Sequence, residues 1–318
     1  MVYFGFKNQP FSSQKSRLLL AVLLCLIFFV FIAIISKDNL GLSNKKLAPE
    51  LKIDFIYVGN SDCCIIQTPK GRTFIIDSGT NISETDAKKQ NRELIQNYLK
   101  KLNIREIDGL VISNWHINNY YGFIPVLKDY KVKCIYETPI EYKNEFYYDF
   151  DELCKKKKIY RISVKSGDIL EWGEELFVQV LNPEDVYGTD IISEINNDSI
   201  VIQIRYGKVK TLLCSNIQEE SEREVIKFNQ GIESQIIKIP NHGNKNSIYK
   251  NFFKMVNAKD GIISVGKNNP FGLPSEEALD LFNELEMNIY RTDLNGNIHL
   301  TIGGKNEKDY KITVDRNI

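Results

Sequence analysis

The chain has little histidine, tryptophan or methionine, with three, two and three residues among 318, and its six cysteines form no C-x-x-C pair. Three imidazoles cannot supply a metal centre with five histidine ligands, and the thiolate pairs typical of zinc sites are absent. Cys63 and Cys64 are neighbours in a predicted strand, so their side chains should point to opposite faces. The spacing of Cys134, Cys154 and Cys214 leaves open whether any two of them pair.

Net charge is also absent, because 41 basic residues balance 41 acidic ones. The balance is uneven along the chain: residues 1–50 carry six basic residues against two acidic ones, a net charge of +4, so the remainder carries −4. General nucleic-acid binders usually present a basic domain or stripe. The sequence therefore gives no strong general nucleic-acid signal, which does not exclude a local basic patch.

One long apolar run is present, the 18 residues LLLAVLLCLIFFVFIAII at positions 18–35. It is long enough to contact and span a membrane as a helix, and no small-residue cleavage site follows it. We predict a single-pass signal anchor at residues 18–36, a short cytoplasmic tail at 1–17 and a linker at 37–50. A short basic tail before a single span usually stays inside, which favours an extracytoplasmic domain.

From Leu51 onward the hydrophobic pattern changes to short alternating segments. Residues 51–58, 62–68 and 73–77 have the pattern of strands, and residues 83–102 have apolar positions at helical spacing. Strands and helices continue to alternate to the end, which is typical of a layered α/β domain. We expect one such domain over residues 51–318.

A cluster of asparagines follows a predicted buried strand at residues 109–113. The segment V-I-S-N-W-H-I-N-N-Y-Y-G places Asn114, Asn118 and Asn119 around His116. A neutral amide is a poor ligand for a divalent transition metal, because zinc prefers imidazole, thiolate or carboxylate and hard cations prefer carboxylate oxygens.

This segment resembles the T-H-x-H-x-D-H-x-x-G metal motif of the metallo-β-lactamase fold. Seven other blocks follow the order found in the metallo-β-lactamase-fold domain of the ComEC family of DNA-uptake (competence) proteins. They are residues 55–62, 74–79, 196–201, 212–216, 238–247, 263–274 and 290–293. The chain is therefore identified as similar to that domain from about Leu51 to about Thr301.

The resemblance implies a metallo-β-lactamase-like four-layer αββα sandwich, with one N-terminal transmembrane helix added by the apolar run. It also implies a site at one edge, built from the loops that follow strands. In such sites a metal-bound water has a lowered pKa and becomes a nucleophile. Asp77, in the 74–79 block, is expected to order the adjacent motif loop, and His299 lies outside the ligand blocks and is expected to be structural.

The departures from the family pattern lie in those loops. The His of the G-H-P block is Leu273, and the opening Asp is Tyr57. Only His116 and His242 remain as plausible metal ligands, and each has an alternative interpretation as a histidine held by neighbouring hydrogen bonds. The predicted remnant pocket consists of Asn114, His116, Asn118, Asn119, Asn216, Asn241 and His242.

We predict no catalytic residue and no cofactor, and hence a catalytically degenerate hydrolase-like protein that acts as a binding or scaffolding module. Its partner would be single-stranded DNA, an envelope polymer or a protein. The alternative is a working metal-dependent phosphodiesterase or nuclease linked to DNA uptake, with a single weakly held zinc or manganese on His116, His242 and an unidentified carboxylate. A third hypothesis is a purely structural subunit of an uptake or envelope complex.

Overall fold

The structure is a computed structural model, and it describes residues 21–28, 48–79, 87–139, 145–184 and 192–316. The chain divides into two units, Met1–Ala48 and Pro49–Ile318. In the first unit, residues 21–28 form a helix with exposed side chains. None of the helices in the described ranges is long and apolar enough to cross a membrane. The predicted anchor at 18–36 lies mostly outside the described residues.

The second unit contains fourteen described strands in two sheets. They are β1 Leu51–Phe55, β2 Cys64–Gln67, β3 Thr73–Ile76, β4 Glu106–Ile112, β5 Lys131–Glu137, β6 Tyr160–Ser163, β7 Leu176–Asn182, β8 Val201–Tyr206, β9 Val209–Leu213, β10 Ile236–Lys238, β11 Asp260–Ile263, β12 Asn288–Arg291, β13 Ile298–Ile302 and β14 Tyr310–Val314. The larger sheet has the order β14-β13-β1-β2-β3-β4-β5-β6, and the smaller one β12-β11-β10-β9-β8-β7. Strands β3 to β6 and β9 to β12 pair in parallel, and the remaining pairs are antiparallel.

Helices cover the outer face of each sheet. Those on the larger sheet are Ala87–Lys101, Ile117–Tyr120, Phe123–Asp129 and Glu145–Lys157, and those on the smaller sheet include Glu219–Phe228, Lys250–Val256 and Glu276–Glu284. The short helices Ile192–Asn197 and Thr292–Asn295 and the 3₁₀ turn Pro240–Gly243 lie in connections.

Three hydrophobic cores define the layers. One lies between the two sheets and contains Ile53, Phe55 and Trp172. The second lies between the larger sheet and its helices, and the third between the smaller sheet and its helices. Alternation along strands decides which core a residue enters: Cys64 packs between the sheets, and Cys63 packs under the helices. The predicted four-layer αββα sandwich is confirmed for the domain.

The element boundaries differ slightly from the sequence-based ones. The first strand ends at Phe55 and not at Val58, although the Ile56 amide still donates to the Cys63 carbonyl in the register of the β1–β2 pair. The predicted helix 83–102 is observed as Ala87–Lys101, and residues 80–86 lie outside the described part. All six cysteines are free thiols.

Candidate functional site

Polar loops from both sheets meet at one edge of the sandwich, where parallel strands end. Asp77 follows β3, and Ser113 follows β4 in the same sheet. Ser215, Asn241 and Ser264 follow β9, β10 and β11 in the other sheet. The crevice at the carboxyl ends of strands is the usual place for ligands in α/β sheets.

Four residues in these loops have a left-handed backbone although they are not glycine. The φ angles are 57° at Asp77, 47° at Ser215, 45° at Asn241 and 57° at His242. Such conformations persist only where the surrounding structure fixes them, and they cluster at functional sites. One contact that fixes this conformation is a backbone hydrogen bond of 2.8 Å, in which the Asn241 N–H donates to the Ser215 carbonyl.

The Asp77 carboxyl group holds the loop that carries the asparagine motif. Its Oδ1 accepts from the Ser113 amide at 2.9 Å, and its Oδ2 is 2.7 Å from Ser113 Oγ. Burial raises the pKa of Asp77 to about 8, although the hydrogen bonds from Ser113 act in the opposite direction. Because each oxygen of Asp77 has a hydrogen bond with Ser113, both oxygens of this carboxyl group are engaged within the protein.

Asn114 and Asn119, which stand at two ligand positions of the resembled motif, bond to each other. Asn119 Nδ2 donates to Asn114 Oδ1 at 2.8 Å, and the same oxygen accepts from the His116 amide at 2.9 Å. Asn114 Nδ2 donates to Ser199 Oγ at 2.8 Å, which ties the motif to the other sheet. Asn114 Oδ1 thus accepts two hydrogen bonds from within the protein, and the Nδ2 groups of Asn114 and Asn119 both donate to neighbouring side chains.

Above this network lies a pocket of about 210 Å³, which we call the asparagine pocket. It is lined by Asn60, Ser61, His116, Asn118, Asn119, Asn196, Asn216, Asn241, His242, Asn244, Phe271 and Leu273. Six of the seven residues of the predicted remnant pocket are among them. The seventh, Asn114, is buried and reaches the pocket through its bond to Asn119.

Sequence reasoning missed several lining residues, notably Asn60, Asn196, Asn244 and Phe271. All of them lie inside the blocks that carry the resemblance, so a signal was available. They were missed because none of them stands at a position that corresponds to a metal ligand of the family.

Burial favours the neutral form of both histidines of the pocket. His242 Nδ1 lies 2.7 Å from the Ser264 carbonyl oxygen, which can only accept, so Nδ1 donates and Nε2 carries the lone pair. Burial lowers the pKa of His242, with a partial opposing effect from Asp62. Burial likewise lowers the pKa of His116.

A buried ion pair beneath the pocket also escaped sequence reasoning. Lys238 Nζ lies 2.5 Å from Asp62 Oδ2, and both side chains are almost fully buried. Burial alone would raise the pKa of Asp62, but the ammonium of Lys238 and the His242 ring hold it below its usual value. Asp62 Oδ1 is 3.8 Å from His242 Nδ1.

The donor set of this site does not fit a catalytic zinc or manganese ion. Such a site needs about three imidazole, thiolate or carboxylate ligands. Asp77 is engaged by Ser113 through both oxygens, and Asp62, which does not line the pocket, pairs with Lys238 through Oδ2. Across the described ranges, no group of three His, Cys, Asp or Glu side chains could hold a metal ion.

His299 lies away from this edge. Its Nδ1 is 2.8 Å from Asp54 Oδ1, and its Nε2 is 3.0 Å from Asp315 Oδ1. The hydrogen bond to Asp54, with that to Asp315, raises the pKa of His299 to about 9. In this position His299 links β13 to β1 and to the end of the chain.

The two sheets, their outer helices and the site at the strand ends define a metallo-β-lactamase-like fold. No protein-family model matches the chain. The chain is similar to ComE operon protein 3 of Bacillus subtilis (strain 168), with 28% identity over 265 residues. That match covers 79% of this chain and 33% of the relative, so the chain corresponds to about a third of the relative's length. The resemblance to the ComEC family is confirmed.

Solved structures give distant likenesses. The metallo-β-lactamase fold protein YhfI from Bacillus subtilis is 11% identical with a TM-score of 0.47, over 76% of this chain and 96% of its own. CmlA, a diiron β-hydroxylase from Streptomyces venezuelae, is 12% identical with a TM-score of 0.48, over 83% and 54% of the two chains. Zn²⁺-bound PqqB from Methylobacterium extorquens is 9% identical with a TM-score of 0.42, over 73% and 85%.

Proposed function

We propose that the chain is a catalytically degenerate metallo-β-lactamase-fold protein that binds a partner in the asparagine pocket. The observation that carries this proposal is the bond between Asn119 Nδ2 and Asn114 Oδ1. Asn114 and Asn119 stand at two positions where the resembled motif has metal ligands, and the Asn119 side-chain amide donates a hydrogen bond to that of Asn114. Asn114 Oδ1 already accepts from Asn119 Nδ2 and from the His116 backbone amide, so its lone pairs are not free for a cation where a hydrolase needs a ligand.

The pocket itself is kept, which supports binding in preference to loss of all function. Strained backbone at Asp77, Ser215, Asn241 and His242 is costly, at about 1–3 kcal/mol for each residue. Two of these residues, Asn241 and His242, line the pocket. We further propose that residues 18–36 anchor the domain to a membrane and leave it on the extracytoplasmic side. The partner would then be an envelope polymer, single-stranded DNA or a protein.

The test is metal content and hydrolysis with the full-length chain, purified in detergent without chelator. We expect well under one equivalent of zinc or manganese, and no metal-dependent hydrolysis of single-stranded DNA or a model phosphodiester above background. A matched control is the triple variant Asn114→His, Asn118→Asp and Asn119→His, which restores the resembled motif and should bind more zinc. Near-stoichiometric metal in the natural chain, with nuclease activity abolished by His116→Ala, would establish the metal-dependent hydrolase instead.

A further inference from the structure

The asparagine pocket has a lining dominated by one functional group. Seven of the twelve described residues that line it are asparagine: Asn60, Asn118, Asn119, Asn196, Asn216, Asn241 and Asn244. A carboxamide offers two N–H donors and a carbonyl acceptor on one short side chain. A hydroxyl group also donates and accepts, so adjacent hydroxyls on a ligand match a surface of adjacent amides.

The lining carries almost no charge. The described residues that line the pocket include no Lys, Arg, Asp or Glu. Burial lowers the pKa of its two imidazoles, which favours their neutral form. A phosphate or carboxylate ligand would lose its hydration without gaining a paired cation, which is unfavourable. The lining therefore favours an uncharged ligand.

Two side-chain carbonyl oxygens of lining residues have no hydrogen-bond donor among the described residues. Asn216 is only 9% exposed, and its Oδ1 has no hydrogen-bond partner among the described residues. Asn60 Oδ1 is in the same situation. Each oxygen has almost no accessible surface, so a ligand hydroxyl would reach it only after the asparagine side chain turns toward the pocket. A buried carbonyl without a donor costs about 1–3 kcal/mol, and a hydroxyl bound in this way would offset that cost.

An exposed aromatic ring completes the pocket. Phe271 lines it and is 69% exposed, next to the half-buried Leu273. An exposed ring of this size is unfavourable in water and offers a flat apolar face. The C–H face of a pyranose ring can cover such a surface while its hydroxyls reach the amides.

From these features we infer that the asparagine pocket binds an uncharged saccharide, as a unit of a neutral glycan. The inference rests on the proposed function as a binding module, and it chooses the ligand class among the partners proposed above. The pocket volume of about 210 Å³ suits one or two sugar rings, with the rest of a polymer outside.

The experiment uses the full-length chain in detergent and an array of immobilised saccharides. The array carries neutral tetrasaccharides of glucose, galactose, mannose and N-acetylglucosamine, and sulfated, phosphorylated and uronic acid counterparts, with an oligothymidylate beside them. The neutral probe that binds best is then titrated by calorimetry. We expect Phe271→Ala and Asn216→Ala each to weaken binding by about tenfold or more. Phe271 is exposed, so its removal leaves the fold intact, and Phe228→Ala, an exposed ring outside the pocket, should bind like the natural chain.

Binding of a neutral probe with this pattern of variants supports the inference. Binding of only anionic saccharides or oligothymidylate, or of no probe, overturns it. Oligothymidylate binding that is lost in Asn216→Ala would still leave a binding module, whereas metal-dependent hydrolysis in the earlier assay would remove the proposed function itself. The two failures are therefore distinguishable.

Discussion

At the scale of single residues, asparagine fills about the volume of histidine or aspartate. Its NH₂ group, however, donates hydrogen bonds, whereas a metal ligand at the same position would offer a lone pair. A histidine or carboxylate in the motif would present lone pairs to a common point. Asn114 instead accepts from the His116 amide and from Asn119, and it donates to Ser199. The substitutions thus stabilise the loop that carries them, and they leave a neutral surface where charged ligands would be required.

Glycine is required at position 79 for two separate reasons. Its φ is +59°, and a Cβ there would lie 2.6 Å from Val58 Cβ and closer still to a γ-methyl of Val58. We expect Gly79→Ala to lower the free energy of unfolding by about 2–4 kcal/mol, since both backbone strain and overlap oppose the folded state. Urea denaturation followed by tryptophan fluorescence measures the change.

Gly71 is the matched control for this prediction. It has a φ of +82°, but no atom lies within 4 Å of the place that a Cβ would take, so Gly71→Ala should lose only about 1 kcal/mol from backbone strain. Equal losses in the two variants would show that overlap with Val58 contributes nothing.

At the scale of elements, one half-buried arginine joins three of them. Arg161 on β6 donates from Nε to Glu137 on β5 at 2.8 Å. Its Nη1 lies 2.9 Å from Asp151 in the helix Glu145–Lys157. The guanidinium also lies 5.5 Å from the Trp115 ring centroid, beside the asparagine motif. The larger sheet, its outer helix and the site loop therefore share one charged group.

Removal of that arginine should leave the Glu137 carboxylate buried beside an apolar side chain. We expect Arg161→Met to reduce the free energy of unfolding by about 3 kcal/mol, and Glu137→Gln in the same chain to recover about 1 kcal/mol of it. A double-mutant cycle in urea measures both values. Arg223→Met is the control, because its pair with Glu219 is half-exposed and should change stability by about 0.5 kcal/mol or less. A loss as small as that at Arg161 would refute the argument.

The sequence predicted the layers and most strands because alternation decides which core a residue enters, as with Cys63 and Cys64. It also indicated which loops meet at the edge, because their residues correspond to blocks of a resembled family. It could not indicate that Lys238 pairs with Asp62, 176 positions away, or that the amides of Asn114 and Asn119 bond to each other. Those contacts depend on side-chain orientation and on the exact spacing of the two sheets.

At the scale of the whole molecule, buried acids make stability depend on pH in an unusual range. Burial raises the pKa of Glu222 to about 8, although the amide of Tyr249 donates to it and acts in the opposite direction. Burial raises the pKa of Asp77 to the same value. The folded chain therefore keeps protons that the unfolded chain has already lost at neutral pH.

The sign of the effect follows from the direction of the shift. An acid whose folded pKa is raised contributes stability that is fully present below its unfolded pKa, near 4.5 for Glu222, and is lost as pH rises through its folded pKa near 8. We expect Glu222 to contribute a fall in the free energy of unfolding between about pH 5 and pH 8, opposed below about pH 6.5 by the two pocket histidines with lowered pKa, and Glu222→Gln to remove about 1–3 kcal/mol of that fall. Urea denaturation at a series of pH values measures the slope of the free energy of unfolding against pH.

His299→Gln is the comparison variant, since the raised pKa of His299, about 9, should affect this slope only above its ordinary value of 6.5. An unchanged slope in Glu222→Gln between about pH 5 and 6.5 would show that Glu222 is already ionised in the folded protein.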